Sequence, residues 1–169
     1  MKTTKGFSLI ELLIVITIIG IIAALAIPNL LASRRSANES SAIAALRLIH
    51  GVEITYQSTE GAGNFGLLAD LSNAGLLDST LAAATSGATA KSGYYYTLVP
   101  TASSATSPAM FDCESEAMVH TSVSAFGATG TRRFYIGDTG TIYANSDNAP
   151  ITADPVTRIV SNATPINSN

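Results

Sequence analysis

The sequence predicts an α+β fold: a long N-terminal hydrophobic helix whose C-terminal half packs on a small antiparallel sheet of about four strands. Three observations predict it. The run from Phe7 to Leu31 is almost wholly apolar and contains no strong helix breaker except Pro28. Apolar residues then recur at helical spacing as far as Tyr56. Beyond Gly93, short β-rich runs alternate with turn residues.

The helix comes first. Leu12 to Leu31 are 20 positions whose only polar members are Thr17 and Asn29. As a helix they span about 30 Å, the hydrocarbon thickness of a bilayer. Lys2, Lys5 and the amino terminus precede the run, which favours leaving the N-terminus in the cytoplasm. Arg34 and Arg35 follow it, but the long domain beyond crosses despite them. In the second half Ala42, Ala45, Leu46, Ile49, Val52 and Tyr56 share one face, and Ser40, Arg47, Gly51 and Ser58 lie opposite. Glu53 falls at the rim of that stripe, and nothing in the sequence accounts for it.

The remaining elements follow in order. Residues 59–93 form a Gly/Ala/Ser-rich connection with short helical turns expected at Leu67–Leu71 and Asp78–Ala84. Strands are expected at 94–99 (YYYTLV), 116–123 (EAMVHTSV) and 132–136 (RRFYI), with 141–145 (TIYAN) closing a hairpin across Gly137–Gly140. The chain thus divides into an apolar helix over 7–33, an amphipathic half over 34–58, a connection over 59–93 and a sheet over 94–145. Residues 146–169 form a polar, proline-punctuated tail expected to lie over the surface.

One residue breaks the pattern. Glu11 places a carboxylate at the front of a lipid-length apolar run. A secretory signal fits the basic start and the small residues Ala24 and Ala26, but its apolar core is only about 7–15 residues long. A plain signal anchor leaves Glu11 without a role. Cutting between Gly6 and Phe7 removes residues 1–6, including both lysines, and creates an amino terminus one helical turn before Glu11. In a bundle of such helices, the amine of one can neutralise the carboxylate of the next. A buried pair of this kind adds little net stability but fixes register. A carboxylate favoured by the helix N-terminal dipole is the simpler alternative.

The stretch KGFSLIELLIVITIIGIIAALAIPNLLASRRSANES resembles the N-terminus of a type IV prepilin, in the wider family that includes type II secretion pseudopilins. The close resemblance covers roughly the first 50 residues. It implies cleavage after Gly6, N-methylation of Phe7, an assembly role for Glu11 with Phe7, and helix weakening at Gly20 and Pro28. It also implies a single-pass, N-in precursor in the inner membrane that then joins an extracellular homopolymeric filament. The implied partners are a prepilin peptidase that also methylates, and an assembly platform with its ATPase. The implied function is that of a major pilus subunit serving adhesion, twitching motility or DNA uptake. A pseudopilin of a type II secretion system is the alternative, although the aromatic-rich calcium loop of major pseudopilins is missing.

Enzymatic chemistry finds no footing in the sequence, and no cofactor is called for. Asp138-Thr139-Gly140 matches one half of an aspartic protease signature, but that chemistry needs two such aspartates. Asp112, Glu114 and Glu116 alternate as on one side of a strand and offer oxygens to calcium, or form a solvated acidic edge. His50 and His120 stand in no metal-binding spacing, so no metal is expected. Cys113, a single cysteine, makes no internal disulfide; it is buried, or pairs between subunits. The sequons at Asn38 and Asn162 and the Ser/Thr stretch 101–107 are candidate sugar acceptors. A formal net charge of −3 offers no electrostatic surface for nucleic acid.

Overall fold

The computed structural model describes residues 6–123 and 127–166. Of the expected leader only Gly6 is among them; Lys2 and Lys5 lie outside the described residues. The chain divides into two units, Met1–Arg34 and Arg35–Asn169. Helix α1, Leu9–Thr59, supplies the body of the first unit and the opening element of the second.

In the second unit α1 is followed by α2 (Leu68–Asn73), α3 (Ser79–Ala82) and a single 3₁₀ turn at Gly87–Thr89. Five strands follow: β1 (Tyr94–Thr101), β2 (Met110–Ala117), β3 (Arg133–Gly137), β4 (Ile142–Asn145) and β5 (Thr164–Pro165). They pair in chain order, every pair antiparallel. Alternation sends Tyr94, Tyr96, Leu98, Phe111, Cys113, Phe134, Ile136 and Ile142 to one face. That face joins a single core with Ala42, Leu46, Ile49 and Val52 of α1 and with Leu68, Leu71 and Leu81 of the short helices. The stripe read from the sequence is therefore the face that seats on the sheet.

One expectation is corrected. The second strand runs over Met110–Ala117 rather than 116–123, and Tyr94 of β1 pairs with Ala117 at its end. Its inward positions are Phe111, Cys113, Ser115 and Ala117, its outward ones mostly acids, so small polar residues hide the alternation. Past Ala117 the chain turns inward at His120, whose Nε2 donates to the Thr131 carbonyl at 2.8 Å while Nδ1 accepts the Ser122 N–H at 3.1 Å. The antiparallel sheet of about four strands is present, with a two-residue fifth strand added at its edge. The tail returns to place Thr164 and Pro165 beside Ala144 and Tyr143, an edge where proline loses no needed donor.

Polar contacts tie the helix to the strands. The Asn38 amide donates to the Thr129 carbonyl at 2.9 Å. Glu39 accepts the Thr131 N–H at 2.8 Å and its hydroxyl, and the Arg132 Nε at 2.9 Å. At the β3–β4 turn, Gly140 adopts a positive φ, and a Cβ there would meet the His50 ring at 3.1 Å. The turn is thus shaped to let the helix pass.

Burial pushes the Glu39 carboxyl up, but the Thr131 and Arg132 donors outweigh it and hold it below the ordinary value of 4.5. Its contribution to stability is therefore present above about pH 4.5 and lost as pH falls through the folded value. Replacement by alanine, Glu39→Ala, should cost about 1–3 kcal/mol at neutral pH. Thermal melts at neutral and acid pH check this: the deficit should shrink on acidification.

Candidate functional site

The site is the start of α1 and the apolar surface behind it. Gly6, Phe7 and Ser8 precede the first helical residue, Leu9, and are exposed. A Cβ built on Gly6 has nothing within 4 Å. The Gly6–Phe7 peptide bond is thus non-helical and open on its surroundings, as a protease substrate must be. Glu11 lies in the first helical turn, and its Oε2 accepts the Ser8 N–H at 2.9 Å. This is one arm of a capping box, in which a glutamate three residues past the cap serves a backbone donor the helix leaves unsatisfied. Ser-Leu-Ile-Glu spells the motif, and it agrees with the alternative in which the helix N-terminus itself favours the carboxylate. The carboxylate has a place in a lone chain.

Behind the cap the membrane-length segment leaves its apolar side chains exposed. Phe7 is 86% exposed, Leu9 83% and Leu25 68%, and the membrane-length segment is 0% buried. Both polar residues of the segment are satisfied within it. Thr17 Oγ1 donates to the Leu13 carbonyl at 2.8 Å and Asn29 Nδ2 to the Leu25 carbonyl at 3.1 Å. Neither carries a bare polar group into lipid. Gly20 and Pro28 both lie inside continuous α-helix. Proline there withholds one N–H from the ladder, so the helix is held least well around Ala24.

The other sequence candidates are drawn into the fold. Asp112 and Asp138 both pair with Arg158, at 2.8 and 2.6 Å. Glu114 and Glu116 both pair with Arg133. The alternating acids are therefore ion-paired, and no cluster suited to a metal exists among the described residues. Arg158 Nη2 also donates to the Phe111 carbonyl at 2.9 Å, so it fastens the tail to the sheet. Nothing in the sequence announces this hub, because its partners lie 20 to 47 positions away. His50 Nε2 lies 3.3 Å from the Asp138 carbonyl. The Asn162 amide donates to the Pro150 carbonyl at 2.6 Å, so both sequon amides, at Asn38 and Asn162, are engaged within the fold.

Over residues 1–27 the sequence matches the family described as "Prokaryotic N-terminal methylation motif". The N-terminal segment is a prepilin motif. The chain is 65% identical over 40 residues to the Type IV wide pilus major component PilA4 of Thermus thermophilus, covering 24% of this chain and 30% of that protein. It is 32% identical over 57 residues to the Type II secretion system core protein G of Klebsiella pneumoniae, covering 34% of this chain and 41% of that protein. The chain thus spans well under half the length of the curated relatives it matches. No solved structure matches. The chain is thus similar to type IV pilin and pseudopilin subunits over its N-terminal motif and helix.

Cys113 is wholly buried, and burial pushes its thiol up, so it stays protonated. The folded chain should resist alkylation at neutral pH and give no dimer band on non-reducing electrophoresis, while denaturant should restore full labelling. Rapid labelling of the folded chain would contradict its placement in the core.

Proposed function

We propose that the chain is the major structural subunit of an extracellular type IV pilus. The observation that carries this reading is the apolar helix uncovered by its own chain, placed directly behind an accessible Gly6–Phe7 junction. A prepilin peptidase cuts after Gly6 and methylates Phe7. The precursor waits in the inner membrane as a single N-in span. The new Phe7 amine, one turn from Glu11, then answers the carboxylate of a neighbouring copy and sets the stagger of a homopolymeric helical bundle. Gly20 and Pro28 mark where the helix loosens as copies pack.

The energetics explain the machinery. Lipid tails are about as apolar as leucine, so exchanging lipid for a helical bundle gains little hydrophobic free energy. Exposure to water would cost about 1.5–3 kcal/mol per large side chain, or tens of kcal/mol over the segment. Extraction therefore needs an assembly platform and ATPase, whereas the finished polymer resists dissociation. The chain acts as a building unit rather than an enzyme, with adhesion, twitching motility or DNA uptake downstream.

The second reading is a pseudopilin of a type II secretion system forming a short periplasmic filament, favoured by the likeness to core protein G. Shearing cells and sequencing the released fibres separates the two. The pilus reading predicts that this chain is the bulk component and begins with N-methylated Phe7. Fibres of another protein, with secretion lost on deletion of this chain, would favour the pseudopilin. A mature chain beginning at Met1 or Ile27 would contradict both.

A further inference from the structure

Glu53 is a carboxylate of α1 that turns fully into the core, with 0% exposure. Its Oε2 accepts the Gly66 N–H at 3.1 Å. Its Oε1 is enclosed without a hydrogen-bond partner. Among the described residues no lysine or arginine pairs with it. The titratable groups facing it are Asp70 of α2 and the Cys113 thiol of β2, itself beside Tyr96 of β1. One donor and acidic neighbours favour the neutral acid over the buried anion. Burial, opposed by the Gly66 N–H and reinforced by Asp70, pushes the carboxyl up to about 7.

The bond to Gly66 fastens a segment folded over the end of α1. A Cβ on Gly66 would stand 2.8 Å from the Tyr56 ring, so the backbone lies flat against that side chain. Phe65 meets Phe111 edge-on with ring centroids 4.8 Å apart. Asn64 Oδ1 accepts both the N–H and the hydroxyl of Ser103, at 2.8 and 3.0 Å. Leu68 and Leu71 of α2 enter the core. Glu53 is thus the charge-bearing contact in an otherwise apolar and neutral attachment.

We propose that Glu53 is a proton-operated fastener for residues 61–71: the neutral acid keeps the segment docked, and loss of the proton releases it while the helix–sheet core holds. The sign follows from the raised carboxyl. Its contribution is fully present below the ordinary 4.5 and is lost as pH rises through about 7. The subunit therefore presents two surfaces, one docked in mildly acid conditions and one loosened in mildly alkaline ones. This holds whether the filament is a pilus or a secretion pseudopilus.

Hydrogen exchange of the full chain in detergent micelles, corrected for intrinsic rates, tests it at about pH 6 and about pH 8.5. Between these values the linkage predicts about a tenfold loss of protection at residues 66–71, with Phe134–Ile136 unchanged. In Glu53→Gln the pH dependence should vanish, with the segment protected at both values. A wild-type segment equally protected at both pH values would overturn the proposal. So would a loss shared equally by β3, or one that persists in Glu53→Gln. Should that variant fail to fold, the comparison of 66–71 with β3 in the wild-type chain decides alone.

Discussion

An apolar helical surface that its own chain leaves bare must be covered by lipid or by another chain. The segment from Phe7 to Leu30 is such a surface, and the polar features around it follow from that constraint. Thr17 and Asn29 turn their side chains back on their own helix. Glu11 closes the first turn by taking the Ser8 N–H, which lets a carboxylate sit at the head of the segment without a partner chain. In the proposed filament the same oxygen atoms are what a neighbour's amine would capture. The cap and the intermolecular pair therefore compete for one group. On the proposed reading, cleavage after Gly6 would tip the balance by adding a full positive charge one turn away.

The Arg35–Asn169 unit solves a different problem. With one cysteine and no disulfide it fixes a long tail by placing charges inside. Arg158 draws Asp112 and Asp138 together over β2 and the β3–β4 turn, and Arg133 does the same for Glu114 and Glu116. Removing a carboxylate from such a set would leave a largely buried guanidinium short of a partner; the Arg158 contacts hold the tail, and the Arg133 contacts join β3 to β2. Glu39 and Glu53 sit on the same helix and illustrate both outcomes of burial. The Thr131 and Arg132 donors hold one carboxyl below its ordinary value, while burial with a single backbone N–H pushes the other up to about 7.

Much of the fold was legible because it rests on local periodicity. The helical stripe Ala42–Tyr56 names its buried face, and β1, β3 and β4 carry the aromatic and β-branched residues strands favour. The second strand escaped because Cys113 and Ser115 do not look like core positions. The fifth escaped because a two-residue edge pairing has no pattern to show. At the candidate site, Gly6, Phe7 and Glu11 stand out by sequence alone, and the Ser8–Glu11 cap is spelled by Ser-x-x-Glu. Glu53 remained unexplained because its partner is a backbone N–H thirteen residues on. Long-range backbone partners and ion pairs leave no mark on a one-dimensional pattern.

The account stands or falls on Glu11 acting between chains. Replacing it, Glu11→Ala, in cells that still trim the leader removes the acid without touching the apolar surface. Trimmed subunits should then accumulate in the membrane while surface fibres, counted by electron microscopy, fall by roughly tenfold or more, as expected if a buried charge partner is lost. Fibres in normal number on a correctly trimmed Glu11→Ala subunit would contradict it.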